Sequence, residues 1–179
     1  MKKFCMILPL ALILCFMVGC QDKASMAELE EFKALAEVEE QNKATVRRLL
    51  AEMDKGNFDI WDEVTSSEYV YHFPSVSEPR TKEEHKQSNR DFYTAFPDII
   101  HPVEDIFAEG DKVMVRVTNR FTHSSEFRGF PPTGKEITYS AMAIYQFKEG
   151  KIIKEWIEAD VQGLMRQLGM ELKPKEGEK

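Results

Sequence analysis

Beyond position 20 the sequence has no cysteine: Cys5, Cys15 and Cys20 are the three it contains. A domain built from the remaining residues can hold no disulfide and no cysteine-ligated metal, a safe composition for an oxidising compartment. Clustered Lys/Arg is also lacking, in a chain whose formal charge is −7. That excludes nucleic acid as a partner, because phosphate contacts demand clustered cations. The four histidines, His72, His85, His101 and His123, show no ligand spacing such as HxxxH, so no metal site is expected. There is no GxGxxG, P-loop or GxSxG motif, no internal repeat, and no βαβ alternation of the kind that binds nucleotides. The one long apolar run, Met6 to Met17, falls short of the roughly 20 residues a comfortable membrane span needs.

That run has its own logic. Lys2 and Lys3 precede it as a basic n-region, and Met17-Val18-Gly19-Cys20 follows as a small-residue cleavage site before polar Gln21-Asp22-Lys23. The ending resembles a bacterial lipobox, with Met17 where the pattern prefers Leu. The resemblance implies that residues 1–19 are removed and that Cys20 is diacylated, a stable membrane anchor. An ordinary secretory signal with Cys20 incidental is the alternative. Gln21, rather than the Asp that resembles an inner-membrane retention signal, points to a lipid-anchored protein of the bacterial cell envelope, on the outer membrane if the host has two. Cleavage discards Lys2 and Lys3, leaving 160 residues and a formal charge of −9, about one domain's worth.

Residues 20–41 read as lipidated cysteine and tether or helical stalk, with the polar stretch 21–28 as tether. From Met26 to Asp54 no Pro or Gly intervenes, and Leu29, Phe32, Leu35, Ala36, Val46, Leu49, Leu50 and Met53 recur at helical spacing. Gly56 stops the helix, and Asn57 to Val64 predicts a short second one with Trp61 buried. Glu68 to Phe73 is strand-like. Thr81 with Glu84 forms a capping box that starts a helix running to Ala95. Four strands follow: Ile99 to Ala108, Lys112 to His123, Glu136 to Phe147 and Lys151 to Ala159, with Gly110 and Gly150 in hairpin turns. Asp160 is the expected N-cap of a last helix closed by Gly169, and the charged tail 171–179 is expected to be disordered. Helices first and an antiparallel meander after them make an α+β class.

Several segments resemble the SnoaL-like polyketide and ester cyclase family of the nuclear transport factor 2-like superfold. They are Ala95-Phe96-Pro97-Asp98, Val103-Glu104-Asp105, Asp111-Lys112-Val113, Gly129-Phe130-Pro131-Pro132-Thr133-Gly134-Lys135, Gly150-Lys151-Ile152, and Trp156 with Asp160 and Gly163. The resemblance covers about residues 42–170. It implies a cone in which a curved antiparallel sheet wraps around N-terminal helices, open onto an apolar pocket, with homodimers formed through the outer sheet face. It also implies chemistry without metal or cofactor, in which a pocket carboxylate takes a proton next to a carbonyl. An apolar wall raises such a carboxylate's pKa toward the working range.

The alignment places the cyclases' catalytic acid at Ile157 and their pocket His and Gln at Ala143 and Ala141, none of which can move a proton. Period two on the last strand puts Glu155, Ile157 and Ala159 on one face, making Glu155 the replacement acid. His72, after Tyr69-Val70-Tyr71, is the second candidate catalytic group. Tyr71, Phe96, Arg116, Tyr139, Ala141, Ala143 and Ile157 are expected to line the pocket. Arg116 has two roles open to it, clamping a ligand carboxylate or pairing with an acid on a neighbouring strand. His123 is expected to be structural or at the rim, and Trp156 and Asp160 to serve packing and capping. Three functions compete, the third an interaction protein that docks a partner at the membrane through the stalk helix and outer sheet face. In the first, the cone binds a small apolar or amphipathic molecule. The alternative is a cofactor-independent cyclase-like or isomerase-like enzyme, acting α to a carbonyl with His72 and Glu155 as relocated acid and base.

Overall fold

The computed structural model describes the backbone of residues 7–74 and 76–170, with side chains from Lys23 onward. The side chain of Cys20 and the tail 171–179 lie outside the described residues. Two compact units are present, one ending at Val38 and the other beginning at Glu39. Helix α1 (Ile7–Met53) supplies the described part of the first and enters the second. It begins well before the expected Met26, so the stretch 21–28 is helical. Polarity alone does not break a helix, and no Pro or Gly lies between Gln21 and Met26. Among the described residues no helix is long and apolar enough to cross a membrane.

The second unit carries the site. Its part of α1 buries Val46, Leu49, Leu50 and Met53, an i, i+3, i+4, i+7 stripe. The chain then turns through Gly56 into α2 (Ile60–Val64), which buries Ile60, Trp61 and Val64. β1 (Thr65–His72) leads through a loop to the two-residue β2 (Arg80–Thr81) and to α3 (Lys82–Ala95). The capping box that starts α3 is formed as expected. Thr81 Oγ1 accepts from the Glu84 N–H at 3.3 Å, and Glu84 Oε2 accepts from the Thr81 N–H at 2.8 Å.

β3 (Val103–Glu109), β4 (Lys112–Thr122), β5 (Glu136–Lys148) and β6 (Lys151–Ala159) form a meander. Glu149 and Gly150 join β5 to β6 with φ of 53° and 73°, the left-handed pair that a two-residue hairpin matching strand twist requires. α4 (Val161–Gln167) starts at Asp160, whose Oδ1 accepts from the Gly163 N–H at 2.8 Å. A Cβ on Gly163 would meet the Asp160 carboxylate at 2.0 Å, so the cap itself demands glycine there.

The sheet is six-stranded, curved and unclosed, in the order β2-β1-β6-β5-β4-β3. The expected α+β architecture is present, but the sheet is not wholly antiparallel: β1 pairs parallel with β6. A parallel pair needs a long crossover, and everything from β2 to β5 serves as one. β6 carries a bulge, since Phe147 faces Ile152 while Gln146 faces Lys154, leaving Ile153 as the extra residue. Ile152 and Glu155, three apart, are therefore both buried on the inner face.

The inner face is packed by Val113, Val115 and Val117 of β4, Ile137, Tyr145 and Phe147 of β5, and the helices. On the outer face one apolar row crosses four strands: Phe107 opposite Met114, Met114 opposite Ile144, and Ile144 opposite Trp156.

Candidate functional site

Between the inner sheet face and the helices of the second unit lies a cavity of about 450 Å³. Apolar side chains from the middle of the sheet form most of its wall, among them Val115, Val117, Ala141, Ala143 and Ile157. Small residues on β5 leave the space, because two alanines opposite β4 valines cannot fill the gap beneath a bent sheet. The three positions that the resemblance assigns to the cyclases' acid, His and Gln thus face the cavity, and here they are Ile157, Ala143 and Ala141.

Glu155 reaches the cavity beside them and is 3% exposed. The Tyr69 hydroxyl donates to its Oε2 at 2.6 Å. Burial pushes the carboxyl up to about 7, with hydrogen bonds from Tyr69 and Tyr145 pulling the other way. No cation is among these influences. Tyr145 and Tyr69 are themselves held well above the ordinary phenol range by burial and by the neighbouring Glu155 charge, so both remain donors.

His85 of α3 completes the group. Its Nδ1 is 2.8 Å from Tyr69 Oη and 3.8 Å from Glu155 Oε2. Its ring stacks on Tyr71 at 3.7 Å and meets Trp61 edge-on at 4.7 Å. Burial, with help from Arg80, pushes its pKa down to about 3, so the ring is neutral at physiological pH. With the single Tyr69 proton committed to Glu155, His85 Nδ1 carries a hydrogen and donates to Tyr69, leaving the lone pair on Nε2. A continuous hydrogen-bonded chain, His85–Tyr69–Glu155, therefore runs along one wall.

A second histidine lines the same cavity. His101 Nδ1 is 2.6 Å from Asp54 Oδ1, and the Asp54 carboxylate also accepts the His101 backbone N–H at 3.2 and 3.3 Å. Two buried polar atoms in lining side chains, Trp61 Nε1 and Asn119 Oδ1, have no partner in the protein. Each such atom costs about 1–3 kcal/mol when nothing meets it.

The sequence expectations divide. Glu155, Tyr71, Tyr139, Ala141, Ala143 and Ile157 all line the cavity. His72 does not. Tyr69 and Tyr71 take the inner face of β1, so His72 must take the outer one, where it stacks on Trp156 at 5.4 Å. Arg116 is likewise outward, since it alternates with the buried valines, and its Nε donates to Asp105 Oδ2 at 2.7 Å. Of its two open roles, pairing with a neighbouring strand is the one seen. Phe96 is fully buried but lies behind the cavity, in an aromatic cluster with Phe92, Phe121 and Phe127. His123 is buried and structural, with Nδ1 3.1 Å from Thr133 Oγ1.

His85 and His101 are not among the site residues expected from the sequence, where these two enter only through their lack of metal-ligand spacing. A usable signal existed for His85: with Ser88, Asn89 and Phe92 it forms one helical face, and all four line the cavity. Among the described residues no group of three or more His, Cys, Asp and Glu is placed to hold a metal ion.

A mixed sheet bent around helices, with a mostly apolar cavity and a buried acid, defines a cone-type α+β domain of the nuclear transport factor 2-like class. The profile of the SnoaL-like polyketide cyclase family matches residues 44–168, and the chain belongs to that family. Among solved structures, the putative polyketide cyclase IdmH of Streptomyces antibioticus is similar at 28% identity and a TM-score of 0.68, over 73% of this chain and 99% of that one. A putative polyketide cyclase of Acidithiobacillus ferrooxidans matches at 26% identity and a TM-score of 0.65, over 72% and 94%. The putative hydroxylase AclR of Streptomyces galilaeus, at 24% identity, TM-score 0.69 and coverage of 73% and 97%, shares the fold. A search of curated protein sequences finds no match.

The raised Glu155 pKa has a stability consequence of definite sign. Between the ordinary value of 4.5 and about 7, the folded chain keeps a proton that the unfolded chain releases. The stability owed to the neutral carboxyl is thus fully present below about pH 4.5 and is lost as pH rises through 7, by about 3 kcal/mol in all. Urea unfolding at pH 5 and pH 8 is expected to show the wild type losing about 2 kcal/mol more than Glu155→Gln over that interval. An identical pH dependence in the two proteins would sink this assignment.

Proposed function

We propose that the domain is a cofactor-independent acid–base enzyme of the cyclase or isomerase type, acting on carbon next to a carbonyl in a small, largely apolar molecule. The observation that carries this reading is Glu155: a carboxyl facing an apolar cavity, without a counter-cation, poised near neutrality and hydrogen-bonded into a chain with Tyr69 and His85. The putative polyketide cyclases similar in structure support it.

In the proposed step the ionised Glu155 takes the α-proton, and the C–H electron pair moves toward the carbonyl oxygen. Tyr71 and Tyr139 both line the cavity, and burial raises the pKa of each, which keeps them protonated and able to donate to the enolate oxygen. The enolate carbon then attacks a second carbonyl, closing a ring, or is reprotonated elsewhere, giving an isomer. The proton held on Glu155 returns to the new alkoxide or carbon, so the cycle balances without a cofactor. General acid–base catalysis of this kind contributes about 10²–10⁴-fold.

A plain binding role is the second reading, favoured by the smooth wall that Ala141, Ala143 and Ile157 create. Deuterium exchange separates the two. With the full chain and 2-tetralone in D₂O, NMR is expected to show loss of the α-C–H signal, faster as pH rises through 7. Glu155→Gln should slow it at least 100-fold. A ketone that binds but exchanges equally fast with either protein would leave only the binding role.

The membrane setting belongs to the same proposal. Lys2 and Lys3, the run Met6 to Met17, the small residues before Cys20 and the lack of any later cysteine support a lipid on Cys20 and an envelope location, with Gln21 favouring the outer membrane. Labelled palmitate should be incorporated by the wild type in a bacterial host and not by Cys20→Ser; label retained in the variant counts against the anchor.

The outer sheet face supports a homodimer, since Phe107, Met142 and Ile144 expose much of their apolar surface there. Light scattering of the full chain should give a dimer mass for the wild type and a monomer for Ile144→Glu. An unchanged mass would place any dimer contact elsewhere.

A further inference from the structure

Two guanidinium groups in the cavity wall take no part in the proton chemistry. Arg80, on β2 opposite Tyr71, donates from Nη1 to Ser88 Oγ at 2.8 Å. Among the described residues it makes no other side-chain hydrogen bond and no ion pair. Arg128, in the loop between β4 and β5, is exposed, lies over the Phe127 ring at 5.2 Å and holds a left-handed backbone at φ 52°. Among the described residues neither forms an ion pair, although the exposed Glu84 carboxyl feels the Arg80 charge, whereas Arg116 on the outer face is bound to Asp105.

Among the described residues the only carboxyl in the cavity wall is Glu155, and Arg80 is not its counter-ion: tyrosine hydrogen bonds alone offset its burial. Arg80 does act on His85, so its charge is felt inside the site. A protein of net charge −7 therefore places two guanidinium groups in a cavity wall whose one described carboxyl, Glu155, is neutral below about pH 7. A cavity with walls of low dielectric focuses such a field onto whatever enters it. Guanidinium matches carboxylate in a planar fork, and an anion brought among apolar side chains must find such a partner.

We propose that the ligand of this cavity is an amphipathic carboxylate. Its acid group sits on Arg80, Arg128 closes on it from the rim, and its apolar body lies along Val115, Val117 and the two β5 alanines. The role open to Arg116 in the sequence is thus filled by Arg80, and the preferred substrate class of the proposed enzyme becomes a keto acid, with a neutral ketone reacting without the anchor that Arg80 supplies. This rests on the cavity being the ligand site, and its test reads binding alone, so it stands or falls separately from proton transfer at Glu155.

The experiment uses the full chain in lipid nanodiscs, with empty discs as the blank, and the isosteric probes 2-naphthoate and 2-naphthamide in titration calorimetry at pH 6, where the probe acid is ionised while Glu155 keeps its proton. The acid is expected to bind at least tenfold more tightly than the amide. Arg80→Gln should remove that preference while leaving amide affinity within twofold. Arg80→Lys, which keeps the charge but loses the fork, should retain a preference of at least threefold, and Arg128→Gln should cost the acid a smaller, salt-sensitive factor. Equal affinity for the two probes, binding of neither, or the same loss for both probes in the Arg80 variants overturns the proposal.

Discussion

A carboxyl group enclosed by apolar side chains, with phenols but no cation to meet it, is the constraint around which the site is built. Ionising Glu155 there works against desolvation, and an arginine or lysine beside it would have settled the matter by holding it charged. Tyr69 and Tyr145 instead stabilise the anion only in part, so the group rests near neutrality. That balance depends on several elements at once. The bulge at Ile153 turns Glu155 inward, β1 supplies Tyr69, β5 supplies Tyr145, and α3 brings His85 onto the same hydroxyl. Each is a neutral group whose own charged form burial suppresses, which lets them sit together without repulsion.

The sheet separates two kinds of surface. Its inner face carries the acid, the tyrosines and the small residues that leave room for a ligand. Its outer face carries paired charge, as in Arg116 with Asp105, and a row of apolar side chains ending at Trp156. His72 stacked on Trp156 belongs to that outer surface, one residue along the strand from Tyr71 on the inner one. On a pleated strand a single step changes a residue's environment from cavity to exterior, so chemistry-bearing residues adjacent in sequence do not share a site.

Much of the framework was legible locally. Helix α3 announces itself through Thr81 and Glu84, α4 through Asp160, and the strands through valine alternation and the turns at Gly110 and Gly150, because each signal acts within a few residues of its effect. Glu155 was legible for the same reason, as period two holds on β6 beyond the bulge. The early start of α1, the tiny β2 and the parallel β1–β6 pair were not. A polar stretch does not announce whether it is helical, and strand partners so far apart leave no local mark. Within the site, His72 was misplaced by one pleat step and Phe96 by one layer of aromatic packing. The partners of His85, Tyr69 and Glu155, lie 16 and 70 residues from it along the chain, so nothing local shows that the three meet.

By itself, then, the order of residues determined the α+β class and an acid on the last strand through periodicity, capping and turn chemistry, while the family and the apolar character of the wall came from its resemblance to known cyclases. Only the tertiary structure decided which polar groups meet: that His85 and Tyr69 hold Glu155, that His101 is held by Asp54, and that Arg80 rather than Arg116 looks into the cavity. Hydrogen bonds and charge pairs act over a few ångströms of space, and no pattern along a chain records which distant side chains a folded sheet brings within that reach.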